Sequence, residues 1–208
     1  ISIARTNTRE SCADNEAGIT DFTLSFQKLN AANIGDYYTI NISCPNAFAG
    51  ETFNTPELFT ALLRELATIP TTKPVYIKMP INHSWEDFQK LLAIADKHSF
   101  IRGLVIGNLN KDYSELDHPE DAPTEFRGGL SGKPCFARSN DLIRKTRAAY
   151  TDRFTIIGVG GILTPEDAME KFAAGADLIQ VITGMIWNGP GLMRAICAAY
   201  ARRQDPAD

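Results

Sequence analysis

Short apolar runs alternate along this chain with longer stretches in which apolar residues recur at helical spacing. The runs are Tyr37–Ser43, Val75–Met79, Gly103–Ile106, Phe154–Gly158 and Leu178–Ile182, with Ile1–Ala4 as a sixth. Between them, Phe22, Phe26 and Leu29 form one stripe, and Leu58, Leu62 and Leu66 a second. Phe88, Leu91, Leu92 and Ala95 form a third. This is the pattern of helices that bury one face. Thr55-Pro56-Glu57 and Thr164-Pro165-Glu166 each set a capping hydroxyl before a proline at the first helical position. Ser84 with Asp87 three residues on resembles a capping box, and Gly175 supplies a stop signal. Alternating strands and helices predict a parallel α/β fold, either a doubly wound sheet or a barrel. A (β/α)8 barrel has eight strands, and six are legible here. The alternation is even, without linker or low-complexity stretch, so one domain over residues 1–208 is expected.

Several residues do not suit a plain core. In Tyr37–Ser43 the set Tyr38, Ile40 and Ile42 is apolar, whereas Thr39, Asn41 and Ser43 are polar. A strand buried on both faces reads apolar on both, so the polar set points at a ligand or at a self-satisfied network. Lys78 lies among Val75, Tyr76, Ile77 and Met79. It either meets an anionic or electron-rich ring or reaches out to solvent. Cys44 follows the Tyr37–Ser43 strand directly, where catalytic groups of barrel enzymes sit, and a thiolate there can serve as base or nucleophile. An inert buried thiol is the other reading. Gly158-Val159-Gly160-Gly161 and Thr183-Gly184 end the last two strands. Glycines let backbone N–H groups approach a phosphate, and phosphate sites after the last two strands recur in barrels. One long irregular stretch, residues 108–136, has the length of a functional loop.

Composition narrows the classes. The net charge of −4 gives no basic footprint for nucleic acid. No apolar run approaches the ~20 residues of a membrane helix. Cys12, Cys44, Cys135 and Cys197 are widely spaced, which points away from zinc and from a disulfide framework and toward a reducing cytoplasm. His83, His98 and His118 lie in polar surroundings and suggest no metal site. The chain opens on Ile1 in an apolar segment, which resembles neither a signal peptide nor a natural start, so upstream residues are expected.

Asn41–Asn46, Lys78, Gly128-Gly129-Leu130-Ser131-Gly132-Lys133-Pro134, Gly158–Ile162 and Gln180–Pro190 occur in the order and at about the spacing found in dihydroorotate dehydrogenases. The resemblance runs from Ile1 to about Arg202, and the segments 128–132 and 183–190 look most like the quinone-linked class 2 branch. It implies a (β/α)8 TIM barrel that here lacks its first two strands, with FMN as cofactor and dihydroorotate oxidised to orotate in pyrimidine synthesis. By the same resemblance Cys44 is the general base. Asn41, Asn46 and Asn108 bind the substrate. Ser2, Asn41 and Lys78 contact the flavin, and Gly132, Gly160, Gly161, Thr183 and Gly184 hold its phosphate. Three features depart from class 2. Cys44 is the class 1 choice where class 2 has Ser, residues 47–51 differ, and Asn108-Leu109-Asn110 replaces Asn-Thr-Thr. The acceptor therefore stays open among quinone, fumarate and NAD+, as does placement in the cytoplasm or against the inner membrane face. Another FMN barrel enzyme, or a non-catalytic phosphate-binding barrel, are the rival readings.

Overall fold

The computed structural model describes residues 1–6, 14–43, 52–122 and 128–204. The chain divides into two compact units, Ile1–Val105 and Ile106–Asp208. The first holds β1 (Ser2–Ala4), α1 (Asn15–Ala31), β2 (Tyr38–Asn41), α2 (Pro56–Leu66), β3 (Val75–Met79) and α3 (Trp85–Asp96). Strand β4 (Ile101–Ile106) ends at the boundary. The second holds α4 (Phe136–Tyr150), β5 (Thr155–Val159), α5 (Pro165–Ala173), β6 (Leu178–Gln180), α6 (Thr183–Asn188) and α7 (Gly191–Gln204). The sheet order is β1-β2-β3-β4-β5-β6, and the pairings β1–β2, β2–β3 and β5–β6 are parallel. A doubly wound sheet reverses its order at a switch point. Consecutive order is that of a βα barrel.

The expected strand starting at Ile1 does lie beside the next one, with Ile3 opposite Ile40. Other boundaries moved. The run ending at Ser43 pairs only to Asn41, because the Asn41 side-chain oxygen accepts from Ser43 N (3.2 Å) and Ser43 Oγ (3.3 Å). Such a turn diverts the backbone from the ladder. Strand β4 begins earlier than Gly103, since Ile101 is fully buried. Strand β6 stops at Gln180, and Ile182 beyond it leaves extended geometry to precede α6.

Helix starts are as the sequence marks them. Thr55, Ser84 and Thr164 accept from the backbone N–H three residues on, and Thr164 with Asp167 forms a full capping box. In the first unit Phe22 and Phe26 of α1, Tyr38 and Ile40 of β2 and Leu62 and Leu66 of α2 are buried. Burial of each such side chain contributes about 1.5–3 kcal/mol. Helix α2 buries Phe59 and Leu63 as well, while Leu58 stays half-buried. The α3 stripe is buried as expected. In the second unit Ile162, Ala168, Leu192 and Ile196 form a cluster with Met169, Ile179 and Val181 against it.

Candidate active site

In the first unit, parallel register sets the candidate residues in rows. Ala4, Asn41 and Lys78 are successive Cα partners across β1, β2 and β3, and Ser2, Thr39 and Tyr76 make the row before them. Side chains alternate along a strand, so both rows share one face. The row between them, Ile3, Ile40 and Ile77, is buried on the opposite face. Parallel register thus carries Ser2, Asn41 and Lys78 on one common face of three strands. Ser2 is exposed, and Asn41 and Lys78 are half-buried. Part of that polarity is satisfied locally, by the Asn41–Ser43 hydrogen bonds. Cys44 and Asn46 lie outside the described residues.

In the second unit three turns meet. A Cβ added at Gly160 would stand 2.8 Å from Cys135 Cβ, and one at Gly161 would collide with Phe136 Cβ. A Cβ at Gly132 would lie 3.3 Å from Thr183 Cγ2, and one at Gly184 would strike the carbonyl oxygen of Ile162. Residues 132–136, 160–162 and 183–184 therefore close a ring of contacts. Gly160 (φ 105°) and Gly161 (φ 73°) also adopt backbone angles that other residues avoid. The space their missing side chains leave is filled by the neighbouring turn. These glycines build the turn first, and whatever N–H groups it offers come as a consequence.

An ion pair and a cation–π contact brace this ring. The Lys133 ammonium lies 3.2 Å from an Asp167 carboxylate oxygen and 4.4 Å from the Phe136 ring centre. The other Asp167 oxygen accepts from Leu163 N (2.9 Å) and Thr164 N (3.0 Å). Burial alone would push the Asp167 carboxyl up, but these donors, led by Leu163 N and then Lys133, hold it below its ordinary value. The Cys135 thiol donates to Leu130 O (3.2 Å), and burial pushes its pKa up.

Asn108 follows β4, half-buried, its side-chain oxygen accepting from Leu109 N at 2.9 Å. The described residues after it, 109–122 and 128–136, are braced by hydrogen bonds and ion pairs. Asn110 is fully buried and exchanges backbone hydrogen bonds with Leu130. Its amide donates to Glu115 and to Pro134 O, and Arg138 bonds both Asp112 (2.9 Å) and Glu115 (2.8 Å). Asn110, Arg138, Lys133, Asp167, Ser139 and Lys171 went unassigned in the sequence. Asp167 was legible as the third residue of a capping box. Lys171 and Ser139 carry no signal at sequence level beyond sitting on helix faces that also carry apolar residues.

The sequence profile of the family described as Dihydroorotate dehydrogenase matches residues 3–203. A dihydroorotate dehydrogenase (quinone) of Acaryochloris marina is 34% identical over 186 residues, covering 87% of this chain and 49% of the relative. One of a Synechococcus species is 33% identical over 209 residues, covering 92% and 53%. The DHODH of Eimeria tenella, solved in complex with ferulenol, superposes with a TM-score of 0.78 at 21% identity, over 90% of this chain and 55% of that one. At that identity the superposition speaks for the fold. The chain spans about half the length of the curated relatives it matches.

Proposed function

The chain belongs to the dihydroorotate dehydrogenase family, and on that premise we propose that the intact protein oxidises dihydroorotate to orotate, with FMN as its flavin and a quinone as electron acceptor. The observation that carries the flavin assignment is the ring of turns 132–136, 160–162 and 183–184. Its convergence at the ends of β5 and β6 suits one phosphate group. Gly132, Gly160, Gly161, Thr183 and Gly184 would hold that phosphate. Ser2, Asn41 and Lys78, on the common face of β1–β3, would serve the flavin ring, with the Lys78 ammonium favouring electron density beside it. When bound, FMN supplies the two-electron acceptor for the hydride that leaves C6 of the substrate.

The chain's own residues do the rest. Asn41, Asn46 and Asn108 each offer an amide donor and an acceptor, which matches the alternating N–H and C=O groups of a pyrimidine edge. Cys44 accepts the C5 proton. As a thiolate it needs no partner base, whereas the serine of class 2 does. The names of the relatives favour quinone as acceptor, whereas Cys44, residues 47–51 and Asn108-Leu109-Asn110 depart from the quinone-linked pattern and keep fumarate and NAD+ as the alternatives. No helix among the described residues is long and apolar enough to cross a membrane.

The visible spectrum of the purified intact protein, before and after addition of FMN, tests the flavin assignment. A retained yellow chromophore, lost on Gly161→Val while the far-UV spectrum persists, is the expected result. A protein that leaves FMN free at saturating concentration defeats the assignment.

A further inference from the structure

Lys171 is the most buried charged side chain among the described residues, with no exposed surface, and the proposed chemistry has no use for it. It projects from α5 across β5. A Cβ on Gly158 would come within 2.5 Å of its Cγ and 2.6 Å of its Cδ, so a glycine in the strand is what lets the stem pass. Its ammonium lies 3.2 Å from Ser139 Oγ and 4.9 Å from the Phe136 ring centre. Ser139, also fully buried, directs its hydroxyl at two carbonyl oxygens, Ile106 O (2.9 Å) and Val159 O (2.7 Å).

Those two carbonyls end β4 and β5. Beyond Ile106 come Gly107 and Asn108, a candidate substrate residue; beyond Val159 come Gly160 and Gly161, candidate phosphate residues. One hydroxyl proton, shared between two strand ends, fixes where both segments begin. An ammonium can only donate hydrogen bonds, whereas a neutral amine can also accept. While Lys171 is charged, Ser139 must accept from it and must turn its own proton to the carbonyls. Once Lys171 is neutral, that proton can turn back to nitrogen and release them. We propose that Lys171, acting through Ser139, is a positioning residue that registers the ends of β4 and β5 and so makes flavin-phosphate retention depend on its charge.

The charged and titratable groups facing Lys171 are Asp167, one turn earlier in α5, and the Cys135 thiol from the turn before α4. From α4 come Ser139 and the Phe136 ring, and from β5 the Gly158 backbone. Burial lowers the lysine to about 8, against the opposing pull of Cys135 and Asp167. The switch therefore falls within reach of a binding experiment. FMN phosphate stays fully ionised over that window, since its second ionisation lies near 6.

The part of this inference that concerns FMN rests on the flavin reading above; the part that concerns the strand ends does not. Two measurements on the intact protein separate them. Hydrogen exchange of segments 107–109 and 159–163, corrected for intrinsic rates, is followed from about pH 7 to about pH 9, bracketing the lysine. FMN and riboflavin affinities are taken by flavin fluorescence at the same pH values. The expected result is protection and FMN affinity falling together about tenfold, the worth of one charge-assisted hydrogen bond, with riboflavin, which lacks the phosphate, unaffected. Lys171→Met, which offers the Ser139 hydroxyl no nitrogen to turn to, should hold the high values flat across this range, whereas Ser139→Ala should show the low values at every pH. A flat parental profile overturns the inference. So does a profile that survives in Lys171→Met, which would assign the titration to Cys135. If either variant does not fold, the parental profile and the other variant decide. If no FMN binds at any pH while the exchange still follows Lys171, the positioning role stands and the flavin reading falls.

Discussion

Cys44 and Lys171 pose opposite problems at the scale of single residues. Cys44 stands out in the sequence because it directly follows a strand with a polar face, Asn41 and Ser43, yet it lies outside the described residues. If it is the base, Cys44→Ala should slow flavin reduction by dihydroorotate about 10²–10⁴-fold, the usual worth of a positioned base. Cys44→Ser should slow the same step and shift its profile to higher pH, since a hydroxyl is a far weaker acid than a thiol titrating near about 8.5. Reoxidation of the reduced flavin does not use the C5 proton and should be unchanged. Stopped-flow absorbance resolves the two half-reactions, and an alanine variant reducing at the parental rate removes Cys44 from the mechanism. Lys171 is invisible in the sequence but plain in the structure. Its pKa in the folded protein, about 8, lies below its ordinary 10.5. Between those values the unfolded chain binds more protons, so the contribution of this group to stability rises with pH across that interval and is least below about 8. Replacing a buried charge by a similar apolar chain is often neutral or stabilising. Lys171→Met should therefore keep or raise the melting temperature at neutral pH while removing the pH dependence of FMN retention. A large fall in melting temperature would mark the lysine as a fold-stabilising group instead.

At the scale of elements, most of the fold was legible because the signals are local. Thr55, Ser84 and Thr164 cap the helices they were expected to cap, and the Phe88–Ala95 stripe of α3 is buried as its spacing implies. What escaped was decided across the chain. Asn41 turns β2 out of its ladder, and Phe59 rather than Leu58 completes the α2 face. In residues 108–136 the Asn110–Leu130 bridge and the Arg138 fork depend on partners up to twenty-six residues away. The α5 start joins both kinds of signal, since its cap is local while Lys133 reaches it from thirty-four residues upstream. Thr164→Ala should cost about 1 kcal/mol of stability, as loss of a helix cap does. Thermal or urea unfolding measures it. Asp167 adds a pH signature. Its carboxyl titrates below the ordinary value of 3.8, so its contribution is full above that value and is lost as pH falls through the lower one in the folded protein. Asp167→Asn should lower the melting temperature near neutrality and flatten its fall on the acid side. A variant whose melting curve parallels the parent from neutral to acid pH would show that the Lys133–Asp167 brace contributes nothing.

At the scale of the molecule, the consecutive order β1-β2-β3-β4-β5-β6 settles the choice between barrel order and doubly wound order that the alternation alone left open. Sequence could supply the residue types for both candidate groups. It could not show that Ser2, Asn41 and Lys78 share one face, because that follows from parallel register, nor that three turns close on one another. The proposed activity requires the intact protein to pass electrons from dihydroorotate to a bound flavin. Anaerobic titration of the FMN-loaded protein with dihydroorotate, followed in the visible flavin band, tests it most directly. The band is expected to bleach as substrate is added, with one orotate formed for each flavin reduced. A bound flavin whose band persists through excess dihydroorotate, yet bleaches with a chemical reductant, would contradict it.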